Sequence, residues 1–310
     1  MTSLSAQTPR GVVMIRPRHF SPNADTAKDN AFQADDATRT AQAIASAAYD
    51  EVSRVAERLE AAGITVHLFE DATAVSPDSV FPNNWFSTHS GGHVAIYPMF
   101  SPSRRQERRS DVIEMLKQRY RVQEVIDYSG LEQDGVYLEG TGAMVLDHIE
   151  RVAYACRSNR CNDVALERFC THFNFEPLLF DASDATGRPI YHTNVVMCIG
   201  SAVALIGLQT IQNAVRRQEI RERLEGSGRA VVDLTHRQIG EFAGNAIELQ
   251  GRDGRILALS SRALQALHAD QRAQLERSVR LLPLDVPTIE LAGGSVRCML
   301  AAIHLSPRPS

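Results

Sequence analysis

The sequence repeats one arrangement at nearly constant spacing. A helix-length stretch leads into an apolar strand, then a polar or Gly-containing corner, then two apolar strands joined by a short turn. The turns are Ser90-Gly91-Gly92, Asp147-His148-Ile149-Glu150, Gly200-Ser201 and Gly251-Arg252-Asp253-Gly254. One residue marks each corner: Asn84, Glu139, His192, Asn245 and Cys298. Glu139 follows Asn84 by 55 residues, and His192, Asn245 and Cys298 each follow the preceding corner by 53. Near-constant spacing of this size is the signature of repeated supersecondary modules. Overt identity between the modules is low, so the period lies in the pattern rather than in the letters.

The ends of the chain decide between an open array and a closed one. Gly11 to Ile15 reads as a buried strand closed by Arg16-Pro17. Ile44, Ala48, Val52, Val55 and Leu59 form one helical stripe, with Gly63 as its stop and a strand over 65–69 after it. Further helices are predicted near 104–119, 162–173, 212–225 and 262–277. The last stretch, Gly293 to Leu300, reads as a hairpin with Cys298 on a strand just after a Gly-Gly turn. The N-terminal part thus supplies strand, helix and strand, and the C-terminal part supplies a hairpin. Together they complete a fifth module, and a ring needs none of the capping repeats an open solenoid requires. The expectation is an α/β fold with pseudo-fivefold symmetry, as a single catalytic domain over 11–310 after a flexible tail over 1–10. The polar stretch His19 to Arg39 is long for a loop in a compact domain, which marks it as functional or mobile.

Composition removes several function classes. A net charge of −4 offers no electrostatic case for nucleic acid or an anionic membrane. The five cysteines are odd in number and form no CxxC pair, which argues against a disulfide framework or a zinc knuckle. With no signal-like N-terminus and no bilayer-length apolar run, a cytoplasmic location is expected. The sequence leaves a monomer and a homo-oligomer equally open.

A ring would turn its five corners toward one axis. Cys298, His192 and Glu139 would then share a pocket, and these are the elements of nucleophilic catalysis. The thiolate attacks, the imidazole moves protons, and the carboxylate orients a partner. Each type alone is weak evidence, and their common register is what discriminates.

At these positions the sequence resembles the guanidino-group-modifying enzymes, the superfamily of arginine deiminases, dimethylarginine hydrolases and amidinotransferases. Leu138-Glu139-Gly140-Thr141-Gly142 resembles their Glu-Gly-Gly-Asp motif, and His192-Thr193-Asn194 their His-x-Asp motif. Gly293-Gly294-Ser295-Val296-Arg297-Cys298 is similar to the Gly-rich run ending in their nucleophilic Cys. Pro77 to Asn84 resembles the segment carrying their first substrate-binding Asp, and Arg16-Pro17 with Asn30 their entry segment. Within the superfamily the likeness is greatest to the citrulline-utilisation hydrolases. It implies a five-bladed β/α propeller with no metal or organic cofactor. It also implies Cys298 as nucleophile, His192 as general acid/base and Glu139 as the carboxylate for the substrate's terminal nitrogens. Asp78 would lie near the amino-acid end of the substrate, Arg160 would bind its carboxylate, and Gly293 and Gly294 would shape the turn beside the oxyanion.

The departures bear on substrate. Two positions that are Asp in guanidine-binding members are Asn84 and Asn194 here. A guanidinium presents only donors and pairs with carboxylates, whereas a neutral ureido group carries a carbonyl oxygen that an amide NH₂ can meet. The expected function is hydrolysis of L-citrulline, or a close ureido amino acid, to ornithine, carbon dioxide and ammonia. The alternative enzyme is a deiminase or dihydrolase of arginine or a modified arginine. The same ring fold also serves a ribosome anti-association factor without chemistry, but that role gives Cys298, His192 and Glu139 no reason to align. The replacement of Gly-Asp by Thr141-Gly142 has no consequence derivable from the sequence.

Overall fold

Alternate residues of a strand point to opposite faces, so a strand apolar at every position needs cover on both sides. The first five residues of strand Gly11–Pro17 (β1) are such a run, burying Val12 and Met14 on one face and Val13 and Ile15 on the other. In a computed structural model, which describes residues 6–309, fifteen strands meet this need as five three-stranded sheets.

From β1 the chain crosses through helix Ala41–Ala61 (α1) to Thr65–Asp71 (β2), parallel to β1. The second sheet is Phe86–His89 (β3), His93–Ile96 (β4) and Glu124–Asp127 (β5), with Ser110–Arg119 (α2) as the crossover. A helical turn, Gly140–Ala143 (α3), opens the third sheet of Met144–Asp147 (β6), Val152–Cys156 (β7) and Glu176–Phe180 (β8), crossed by Asp163–Phe173 (α4). The fourth has Met197–Ile199 (β9), Val203–Ile206 (β10) and Ala230–Asp233 (β11), crossed by Ala214–Gly226 (α5). After His236–Gly240 (α6) come Ile247–Gly251 (β12), Gly254–Ser260 (β13), Ser261–Ala266 (α7), Ala269–Glu276 (α8) and Arg280–Leu284 (β14), the fifth sheet. Val296–Met299 (α9) then leads to Ala301–Ile303 (β15), which pairs antiparallel with β1.

Every sheet therefore has one plan: an antiparallel pair, then a helical crossover to a third strand parallel to the middle one. Apolar side chains fill the wedges between successive sheets. Val13 and Ile15 pack with Phe86 and Val94, and Ala95 and Ile126 with Met144 and Ala153. Tyr154 packs with Met197 and Ile206, and Leu205 with Leu257 and Leu259. The fifth wedge joins Val12 and Met14 to Leu249 and Ile256, covered by the α1 stripe of Ala48, Val52, Val55 and Leu59. Full burial of a Val or Leu side chain is worth about 1.5–3 kcal/mol, so the wedges are the main cohesive element.

Three elements differ from expectation. Cys298 lies on a helical turn rather than a strand, because the carbonyl of Ser295 accepts from Cys298 N and Met299 N and winds the backbone before β15 begins. The helix predicted over 262–277 is two helices. Extended Leu267 ends α7, and extended His268 caps α8 together with Gln271. The stretch predicted as helix over 104–119 begins as a 3₁₀ segment, Pro102–Glu107, and extended Arg108 and Arg109 separate it from α2. Of the tail, Met1 to Ser5 lie outside the described residues, while Gln7 is buried and bonded to Leu146 O and Ile199 O.

Candidate active site

Each inner strand is entered through a tight corner. Asn84 ends the 3₁₀ turn Pro82–Asn84, Glu139 precedes α3, His192 precedes the turn Thr193–Val195, Asn245 follows α6, and Cys298 lies in α9. All five are at most 2 % exposed. Arg104, Arg160 and Asn194 are buried as deeply beside them.

Two amides converge on the thiol. Asn194 Nδ2 donates to Cys298 Sγ at 3.2 Å and Asn245 Nδ2 at 3.3 Å. Asn245 is itself fixed, because Nδ2 also donates to Asn194 O at 3.0 Å and Oδ1 accepts from Arg297 N at 3.0 Å. One side chain therefore ties together the corners carrying Asn194 and Cys298. A sulfur that receives two N–H donors is well placed to hold negative charge. Asn194 Oδ1 has no partner among the described residues.

A charged cluster stands alongside. Glu139 Oε2 lies 2.9 Å from His192 Nε2, 3.4 Å from Arg104 Nη1 and 3.5 Å from Arg160 Nη1, while Oε1 accepts from Phe100 N. Burial opposes ionisation of Glu139, but Arg160, the His192 hydrogen bond and Arg104 outweigh it and hold the carboxyl well below the usual range. Burial lowers His192 to about 4 against the pull of Glu139. At neutral pH the pair is therefore carboxylate and neutral imidazole. Nε2 carries the proton toward Glu139, which leaves Nδ1 as the basic nitrogen. Among the described residues His192 makes no hydrogen bond to Cys298.

The sequence-derived candidates divide by contact. Asp78, Asn84, Arg160, His192, Gly294 and Cys298 line one narrow cavity. Glu139 and Asn194 reach it through His192 and Cys298. Gly293 sits at φ +78 and its carbonyl accepts from Tyr191 Oη at 2.6 Å. Asp78 accepts from Asn23 Nδ2 at 2.9 Å, and burial raises its carboxyl against the pull of Arg104. Asn84, with its amide turned to satisfy its neighbours, accepts from Arg104 Nη1 and Nη2 at 3.1 and 3.0 Å and donates to Asn83. Gly142 now has a reason: a Cβ there would lie 2.8 Å from the His192 ring and closer still to the Asn84 amide.

Sequence reasoning missed Arg104, which binds Glu107 with two bonds of 2.8 and 2.9 Å. Its one visible signal was Pro102, which marks a start for the 3₁₀ turn but says nothing of a buried guanidinium. Asn245 was visible as a corner, without a role. Asp29 went unremarked, although both its oxygens accept from Arg160. Among the described residues no group of three or more His, Cys, Asp or Glu side chains could hold a metal ion. No helix there is long and apolar enough to cross a membrane.

Residues 16–305 match the family model for N,N dimethylarginine dimethylhydrolase, eukaryotic. No curated protein sequence matches the chain. Among solved structures, the substrate-bound N-terminal domain of ArgZ, an arginine dihydrolase from cyanobacteria, is 17 % identical with a TM-score of 0.71, over 95 % of this chain and 99 % of that one. A mutant of AgrE in complex with L-arginine is 15 % identical with a TM-score of 0.73, over 94 % of this chain but only 40 % of that one. A mutant DDAH from Pseudomonas aeruginosa complexed with citrulline is 12 % identical with a TM-score of 0.64, over 95 % and 99 %. At these identities the likeness to solved structures speaks for the fold.

Proposed function

Because the chain belongs to the N,N dimethylarginine dimethylhydrolase family, within the guanidino-group-modifying superfamily, we propose that it is a hydrolase of C–N bonds that uses Cys298 as nucleophile on a small ureido or guanidino amino acid. The substrate that fits the site best is L-citrulline. The observation that carries this choice is the pair of neutral amides on Cys298 Sγ, beside a carboxylate already engaged by two guanidinium groups. A cationic guanidinium would find Glu139 occupied, whereas a ureido oxygen would find amide N–H donors.

In this reading the Cys298 thiolate, held by Asn194 and Asn245, attacks the ureido carbon. The new oxyanion draws on Asn194 Nδ2 and on backbone N–H groups near Gly294. His192 Nδ1 takes up the Cys298 thiol proton as the sulfur attacks and passes it to the departing amine, while Glu139 stabilises the imidazolium in between. The resulting S-carbamoyl thioester is opened by water deprotonated at His192. The carbamate released decomposes, so citrulline and water give ornithine, carbon dioxide and ammonia. Asn84 acts by holding Arg104, and Asp78 faces the amino-acid end of the substrate. The five wedges of apolar packing support a closed five-bladed propeller, with 11–310 as one catalytic unit.

A second reading, hydrolysis of arginine or an N-methylated arginine, is favoured by the family match and by Asp78 Oδ1, a buried carboxylate oxygen without a partner among the described residues. Incubation with citrulline, arginine, agmatine and methylated arginines, followed by product analysis, separates the readings. Ornithine formed from citrulline supports the first. Citrulline left intact while a guanidino compound is consumed selects the second, and no turnover of any of them removes the hydrolase. Asn194→Asp should move the citrulline-to-arginine ratio of kcat/KM toward arginine by about tenfold, because a donor to the ureido oxygen becomes a partner for a guanidinium. An unchanged ratio in an active variant would sink the argument from the amides.

A further inference from the structure

Arg160 is a guanidinium with two occupied edges. Its Nη1 approaches Glu139 at the centre of the site. Its Nε and Nη2 bind Asp29 Oδ2 and Oδ1 at 3.0 and 2.6 Å, and its planar group lies 4.7 Å over the Tyr191 ring. The outer edge therefore already holds a carboxylate in the two-bond geometry an Arg gives a ligand carboxylate. Asp29 is not part of any sheet or long helix. It lies in the stretch between β1 and α1, within a turn in which Asp29 N and Asn30 N both donate to Thr26 O.

That stretch closes the cavity. Thr26 and Asn30 line it, Asn30 Nδ2 donates to Ala292 O beside the Gly turn, and Ala34 N donates to Leu291 O. With Cys298, His192 and Arg160 each about 2 % exposed, no substrate reaches the thiol unless some cover moves. Within residues 19–39 the cover is anchored by buried Phe20, by Phe32 against Tyr191 and Phe242, and by Asn23 on Asp78, while its one two-bond ion pair to a buried Arg is that of Asp29.

From this geometry we infer that Asp29 is an internal occupant of the substrate's carboxylate subsite: the α-carboxylate of the substrate displaces Asp29 from Arg160, and the cover is released in the same exchange. The inference rests on the proposed amino-acid substrate. Its physical basis is charge balance. A buried guanidinium stripped of its carboxylate is costly, so Asp29 can leave at low cost only when another carboxylate arrives. A molecule with the reactive ureido group but no carboxylate cannot complete the exchange. Asp29 thereby becomes a specificity-determining residue: it competes with the α-carboxylate for Arg160, which weakens α-amino acids and leaves their decarboxylated amines, which do not displace it, unaffected.

The test compares Asp29→Asn with the unaltered protein on citrulline and on ureidobutylamine, its decarboxylated analogue. The amide keeps the shape but no longer competes as a charge for the outer edge of Arg160, so the citrulline-to-ureidobutylamine ratio of kcat/KM should rise, by about tenfold for a charge-assisted contact. A ratio that stays the same makes Asp29 a structural bystander. A ratio that falls makes it a receptor for some other part of the substrate. Either result overturns the inference. A binding arm needs no turnover and so separates this idea from the proposed chemistry. By calorimetry, Asp29→Asn should bind ornithine about tenfold more tightly than the unaltered protein while its affinity for putrescine does not improve. Equal or weaker ornithine binding in a variant with an unchanged melting curve overturns the exchange even if citrulline hydrolysis is found.

Discussion

Asn245 and Cys298 stand 53 residues apart and meet at 3.3 Å, amide nitrogen to sulfur. The same amide bonds Asn194 O and Arg297 N, so it holds two corners of the site in register. Asn245→Ala should therefore lower kcat by about a hundredfold, the scale expected when a nucleophile is misplaced by an ångström or so. It should also cost about 1–3 kcal/mol of stability, since buried partners lose their bonds. Steady-state kinetics and urea unfolding on the same preparation check both, and a variant with unaltered kcat would remove Asn245 from the site.

Thiol selectivity offers a second check. Burial pushes Cys156 up to about 11, and Cys170 and Cys198 up to about 12, and it raises Cys161 as well. A thiol-reactive citrulline analogue should label Cys298 and leave the other four unmodified, because the thiolate is the reactive form. Cys298→Ser should abolish both labelling and turnover with little effect on folding. Peptide mapping that places the label mainly on Cys161 or Cys170 would contradict the assignment.

Gly142 packs where any side chain would press on both His192 and Asn84. Gly142→Ala should reduce kcat by tenfold or more, since the displaced imidazole loses its alignment with Glu139, and should cost about 1–3 kcal/mol through overpacking. A thermal melt and a kcat measurement test this together. Full activity in the Ala variant would mean that the His192 ring is not held in place by this contact.

Acid should destabilise the fold through its buried imidazoles, offset in part by Glu107, whose carboxyl burial pushes up to about 7 so that it takes its proton more readily when folded. Burial lowers His89 well below its ordinary value and His192 to about 4, the latter against Glu139. Above about pH 6.5 both are neutral whether the chain is folded or not, and stability is full. As pH falls the unfolded chain takes up protons first, so stability declines until the folded values are reached. The loss should approach about 1.4 kcal/mol per pH unit for each imidazole. Urea midpoints between pH 7.5 and 5 measure it, and a flat profile would count against buried neutral imidazoles.

The corners were legible because successive modules spend nearly the same number of residues between corners, so register alone pointed to Glu139, His192 and Cys298 together. The turn carrying Cys298 was not, since four residues are too few for any period to show. Arg104 was hidden for another reason: its 3₁₀ segment lies beside a genuine helix and shares that helix's composition. The contact of Asp29 with Arg160 spans 131 residues and joins two exposed-looking charges, so nothing local signals that one of them is buried. Pattern reports on spacing and burial, whereas ion pairs of this kind depend on which loops the fold brings into contact.

The pairing of β1 with β15 sets an order of assembly. Gly11 finds its partner at Ile303, and Cys298 sits directly before that partner strand. While the chain is being made, the first sheet lacks one edge until β15 has left the ribosome, and contacts so distant in sequence are slow to form. Docking of β15 on β1 is thus the step that seats the thiol among its amides. A released chain cut after Leu300, which lacks β15, should expose Cys298 to maleimide, whereas the intact protein conceals it.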